Sequence, residues 1–169
     1  MARAAHLNAK LDFKIEELST AEGANSATVM LAHNFAKTLD YPTGTSAEQV
    51  DRVWSASDSA GTGGDSHDLA TSGTLVSAIA TGAATVIVEL QLLIIENTGS
   101  VDLRIGAVAN TIPCFSGSTD YIVIPAGGFI VWHFGTAGLT VTAATADILK
   151  VASASGTCTY KIILVGRSA

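Results

Sequence analysis

Charge is what this sequence has least of. Of its 169 residues, 14% are Asp, Glu, Lys or Arg, against roughly 25% in an ordinary globular domain. Lys and Arg number 9 and the acids 15, leaving a net charge of −6 and a pI near 5.0. That balance excludes a broad nucleic-acid footprint, which needs clustered cations, and a polybasic membrane patch. No direct nucleic-acid partner and no membrane partner are expected. Cysteine is scarce too. Cys114 and Cys158 are too few for the disulfide framework of a small secreted domain. Both lie in apolar, strand-like surroundings, which leaves two buried thiols or a bridge formed in an oxidising medium.

Secretion signals are also missing. The stretch Met1 to Leu11 holds Arg3, His6 and Lys10 but no apolar core of a leader peptide, and the chain has no Asn-x-Ser/Thr sequon. The longest apolar stretch, Ala83 to Ile95, is interrupted by Glu89 and Gln91 and is too short to span a bilayer. The expectation is synthesis in a cytoplasm, with departure only inside a larger particle.

Recognisable catalytic constellations are lacking as well. Gly61-Thr62-Gly63-Gly64-Asp65 has no Gly-Lys-Ser/Thr ending and reads as a loop, not a phosphate cradle. Asp65-Ser66-His67-Asp68 packs three oxygen or nitrogen ligands into four residues, but a metal needs more converging from elsewhere. His33 or His133 would have to supply them, and nothing in the spacing brings them there. Neither Ser116-Gly117-Ser118 nor Ser72-Gly73 makes a strained nucleophile turn. The acids of the second half, Glu89, Glu96, Asp102, Asp120 and Asp147, come with aromatics at only 6% of the chain, thin for sugar cleavage or sugar stacking. No enzymatic activity, cofactor or metal is expected.

What is present is an apolar chain rich in small residues. Hydrophobic residues make up 48%, enough for one good core at this length. Little charge implies an outer surface covered by Ser, Thr, Gly and Ala, or by another protein. Both favour a packaging or assembly protein, and a homo-oligomer is expected because self-association covers apolar surface.

Period-2 patterning dominates from Ala84 onward. Ala84 to Glu96 reads as a strand, apolar on both faces near Leu92 to Ile95 as a central strand should be. Ser100 to Gly106 puts Val101, Leu103 and Ile105 on one face, with Asn97-Thr98-Gly99-Ser100 as a hairpin connection between the two. Tyr121 to Ile124, a turn at Pro125-Ala126-Gly127-Gly128, and Phe129 to Phe134 follow, with Ile130, Trp132 and Phe134 inward and Val131 and His133 outward. Leu139 to Thr142, Asp147 to Ala152 and Thr157 to Val165 complete the set, the last placing Cys158, Tyr160, Ile162 and Leu164 on one face. Short strands every 8–12 residues without intervening amphipathic helices are the signature of an all-β chain, an antiparallel β-sandwich or barrel. About eight strands suits a jelly roll.

The first part of the chain is more polar. Residues 1–68 hold 5 of the Lys/Arg and 10 of the Asp/Glu, and the Gly/Ser/Asp-rich stretch Ser55 to Ser66 reads as a loop. Lys10 to Glu16 alternates, with Leu11, Phe13 and Ile15 on one face, and Ala27 to Ala36 is a second candidate strand. Residues 1–45 are expected to form an extended N-terminal arm and residues 46–169 the jelly-roll-like sandwich. No turn signal folds the arm strand back on itself. Leu11, Phe13 and Ile15 therefore need an edge to pair with, in the same subunit, a neighbour or a larger assembly, and are candidate partner-binding residues. Val50 to Ser55 opens the sandwich. Within it Arg52 and Trp54 share an alternation, and Trp54 is either a core residue or an interface anchor.

Residues 50–167 resemble a family of small structural proteins of tailed-bacteriophage particles. The resemblance rests on Val50-Asp51-Arg52-Val53-Trp54-Ser55, His67-Asp68-Leu69-Ala70 and Leu93-Ile94-Ile95-Glu96-Asn97-Thr98. It continues through Ile124-Pro125-Ala126-Gly127-Gly128, Asp147-Ile148-Leu149-Lys150-Val151-Ala152 and the closing Tyr160 to Arg167. It implies a jelly roll that decorates or cements a phage head, clamping neighbouring major capsid proteins on the virion surface, often as an oligomer. The shared pieces are strands and turns, so no functional residue carries over. The N-terminal region is longer and more charged than such a sandwich requires. A phage tail, fibre or adaptor component, and a carbohydrate-binding module, are the alternatives with the same texture.

Overall fold

A computed structural model describes residues 8–15, 33–71, 75–76 and 84–169. The described residues are all-β and without helix. None of them forms a helix long and apolar enough to cross a membrane. Two compact units divide the chain, His6–Tyr41 and a larger one holding Pro42–Ala169.

The smaller unit is a two-stranded antiparallel ribbon. Strand β1 (Asn8–Ile15) pairs with β2 (His33–Asp40) through eight residues, from Asn8 opposite Asp40 to Ile15 opposite His33. This corrects the expectation of a lone strand. The partner comes from later in the chain, which no adjacent turn signal announces. Leu11, Phe13 and Ile15 stand opposite Lys37, Phe35 and His33. The predicted strand at Ala27 to Ala36 overlaps β2 only from His33 onward, and residues 27–32 lie outside the described residues.

The larger unit contains β3 (Arg52–Ala60), β4 (Asp65–Asp68), β5 (Leu75–Val76), β6 (Ala84–Thr85), β7 (Glu89–Asn97), β8 (Leu103–Gly106) and β9 (Tyr121–Ile124). After these come β10 (Phe129–His133), β11 (Leu139–Thr140), β12 (Ile148–Ser153) and β13 (Cys158–Arg167). One sheet runs β10-β7-β13-β3, with β11 also on β7, and a second runs β4-β12-β8-β9; β5 and β6 pair separately. Numbering the eight strands of four or more residues in this unit by chain order gives sheets 1-8-3-6 and 2-7-4-5. First pairs with last, second with seventh, third with sixth and fourth with fifth. A long antiparallel ribbon rolled on itself produces that order, which is the jelly roll.

The core lies between the sheets. Leu93 and Ile95 of β7 and Ile162 and Leu164 of β13 meet Leu103, Ile105, Leu149 and Val151 of the opposite sheet, all essentially without exposure. Each contributes about 1.5–3 kcal/mol by leaving water. Cys158, Tyr160, Ile162 and Leu164 are all buried, as their alternation predicts. Ile130, Trp132 and Phe134 pack against the core while Val131 is exposed.

Three local expectations are corrected. Ser55 to Ala60 is strand, the distal part of β3 paired to β13 as far as Ala60 opposite Cys158. The loop shrinks to residues 61–64, where the Gly64 amide donates to the Gly61 carbonyl at 3.1 Å. Ser57, Asp58 and Ser59 are exposed, so this strand needs no apolar outer face and looks like a loop in composition. Asn97-Thr98-Gly99-Ser100 is not a hairpin, because β7 and β8 belong to different sheets. Buried Asn97 pins the crossing: its Nδ2 donates to the Val101 and Ile124 carbonyls, both at 2.9 Å, and its Oδ1 accepts from the Gly99 amide at 3.0 Å. The predicted strand from Ala84 breaks after Thr85, where the Ile87 amide turns to the Leu69 carbonyl at 2.8 Å. Beside the break, β13 bulges between Val165 and Gly166, and Gly166 lies so close to the Glu89 carbonyl that a Cβ would collide with it.

Candidate interaction surface

Four strands end the two sheets. β3 and β4 are joined through residues 61–64 and lie on one side of the sandwich; β9 and β10 are joined through residues 125–128 and lie on the other. Open edges offer unpaired backbone groups to any passing strand, and proteins guard them with charge, proline or bulges. The β3–β4 side is guarded: Arg52 and Asp58 sit on β3, and Asp65 and Asp68 on β4. The β9–β10 side is not. Tyr121-Ile122-Val123-Ile124 and Phe129-Ile130-Val131-Trp132-His133 contain no Asp, Glu, Lys or Arg.

Exposure follows the same division. Among the described residues the exposed large hydrophobics are Phe129 (53%), Tyr121 (47%), Val123 (44%) and Val131 (39%), and all four lie on these two strands. The period of two explains why. Ile124, Ile130 and Trp132 point to the core, so their neighbours must point out. Gly127 makes the close connection possible with φ of 72°, its amide donating to the Asn97 carbonyl at 3.1 Å. On the outer face of β8, paired with β9, the Arg104 guanidinium carbon lies 5.1 Å from the Tyr121 ring centroid. A cation over an aromatic face combines Arg and Tyr, two residue types enriched in interface hot spots.

The sequence-based candidates are placed elsewhere. Trp54 is 6% exposed and belongs to the core, its ring centroid 5.1 Å from that of His67. Of the two readings left open for it, the core is the one its position fits. Arg52 is half-exposed, its guanidinium 3.0 Å from the Asp51 carboxylate. For Leu11, Phe13 and Ile15 the register on β1 is the whole description. The signal that would have found Tyr121, Val123, Phe129 and Val131 was a charge-free pair of strands. That they are edges is a property of topology, which no local pattern carries.

The polar cluster at residues 65–68 does not converge on one point. Asp65 and His67 of β4 stand opposite inward-facing Val151 and Leu149, whereas Asp68 Oδ1 accepts the Ala70 and Thr71 amides at 3.0 and 2.8 Å. His67 Nε2 and the Tyr160 hydroxyl share a hydrogen bond of 2.9 Å, linking the two sheets. Burial pushes the His67 pKa down, opposed by Asp65 and Asp58; burial and the same two acids push Tyr160 up. Both cysteines are free, Cys158 buried and Cys114 with its thiol pushed up to about 12 by burial.

No protein-family model matches the chain, and no curated protein or solved structure is similar to it.

Proposed function

We propose that this chain is a non-enzymatic virion protein, a bacteriophage capsid decoration or cement protein that binds the assembled shell of major capsid protein and stabilises it. The observation that carries the reading is the unguarded β9–β10 side, where all four exposed large hydrophobics gather. Exposed apolar residues on open, uncharged strands are a hazard to a protein that stays alone. They suit one that is covered by protein in use. The jelly-roll order, the low charge and the texture of residues 50–167 agree with a shell-bound role. The His67–Tyr160 hydrogen bond holds the sheets together inside the sandwich, a structural task.

Within that side, Tyr121, Val123 and Arg104 are assigned to the shell contact. The test is cosedimentation with heads of the phage that carries the gene, stripped of this protein. Wild type should pellet with heads and raise their resistance to heat or chelator. Val123→Lys places a charge on the exposed face of β9 and should lose binding while the free protein melts as before. Wild type remaining in the supernatant would overturn the reading.

A further inference from the structure

We infer that β10 is the seat of a two-fold contact between two copies of this chain, joined edge to edge into one continuous sheet. The backbone geometry sets it up. The Asn97 amide donates to the Gly128 carbonyl at 2.8 Å and the Phe134 amide to the Gln91 carbonyl at 2.9 Å. These bonds bracket the β10–β7 ladder, in which Ile130 stands opposite Ile95 and Trp132 opposite Leu93. Antiparallel pairs alternate between hydrogen-bonded and non-bonded residues, so the even-numbered residues of β10 spend their backbone groups on β7. The N–H and C=O of Phe129 and Val131 point the other way, to the open edge.

An antiparallel edge is its own complement. With a two-fold axis beside Ile130, Phe129 of one copy faces Val131 of the other, and each of the two pairs exchanges two N–H to O=C bonds. The same register lays Phe129 against the second copy's Val131 on the outer face, covering two of the four exposed hydrophobics at once. Isologous pairing of this kind is the commonest route to a dimer, and strand addition is a recurrent recognition mode.

Electrostatics select β10 among the four edges. Two copies of β10 bring together no formal charge. Self-pairing of β4 would bring like charges close, through Asp65 and Asp68, and β3 carries Arg52 and Asp58, charges of the kind that guard an edge. β9 has Arg104 stacked over its Tyr121, so a two-fold there would set two guanidinium groups near each other. A second copy on β10 leaves β9 open to a different partner. The contact does not depend on that partner being a phage shell.

Sedimentation equilibrium of the full chain, without heads, tests it. Wild type should be a dimer. Val131→Pro removes an outward N–H while keeping every ladder bond to β7, the one setting in which a strand tolerates proline, and should yield monomer. Phe129→Lys leaves the backbone intact, puts like charges against each other across the axis, and should also yield monomer. Val123→Lys should remain dimeric, which separates this contact from the proposed shell contact on β9. A monomeric wild type, an oligomer of odd order, or dimers that survive Phe129→Lys with unchanged affinity would overturn the inference.

Discussion

Replacing Asn97 by alanine removes two donated and two accepted bonds from a residue with no exposure. The carbonyls of Val101 and Ile124 lose their Nδ2 partner, while the Gly99 amide and the Cys158 thiol lose Oδ1. Buried groups left unpaired cost about 1–3 kcal/mol each, so Asn97→Ala should lower unfolding stability by about 3 kcal/mol. Urea titration would show it as a lower midpoint with an unchanged slope. His67 gives a pH signature. Its pKa in the folded chain lies below the ordinary 6.5 because burial disfavours the cation. Above 6.5 neither state binds the proton and stability is full; as pH falls below 6.5 the unfolded chain takes it up first, and stability declines towards the depressed folded pKa. His67→Gln should flatten that decline on the acid side of the ordinary histidine range in melts followed by near-UV circular dichroism. The inward face of Tyr160 was legible from alternation alone. Its bond to His67 was not, because the two residues are 93 positions apart and only the rolled topology brings β4 over β13.

Strands differed in how openly the sequence announced them. β13 lies between β7 and β3, must be apolar where it faces the core, and showed it plainly. Leu164→Ala, in that face, should cost about 2–5 kcal/mol, the range for large-to-small core changes. β3 is paired on one side only; Ser57 and Ser59 form its distal outer face, and Asp58 on the opposite face is exposed too. Solvation satisfies such residues, so Ser55 to Ala60 resembled a loop. The crossing after β7 carried hairpin chemistry because turn residues report a change of direction, not which sheet receives the chain. Jelly rolls turn corners where hairpins turn back, and here β7 and β8 fall in different sheets with Asn97 pinning the corner. The thiols provide a check on both ends of the sandwich. Cys158 is shut inside, and burial pushes the Cys114 thiol pKa up to about 12. Neither should react with an aromatic disulfide reagent at mildly alkaline pH, and both should react on unfolding.

At the scale of the molecule, the two sides of the sandwich are unlike. One is charged and keeps strands away; the other is apolar, open and uncharged. Composition, with 14% charge, pointed to a surface of Ser, Thr, Gly and Ala or to one covered by another protein. Where that cover would sit was not legible, because edges are defined by which strands fail to meet. The sandwich unit begins at Pro42, and a chain starting there should melt cooperatively, as a unit with its own core does. If it unfolds, the ribbon of β1 and β2 is a required part of the fold, and Leu11, Phe13 and Ile15 are not available to an outside partner. The central claim is that the β9–β10 side is the covered one. An electron-microscopy reconstruction of heads carrying this protein tests it most directly. The expected map shows the sandwich on the outer shell with Tyr121 and Val123 against major capsid protein and solvent on the β3–β4 side. A map with β3 and β4 against the shell and β9 and β10 bare would contradict it.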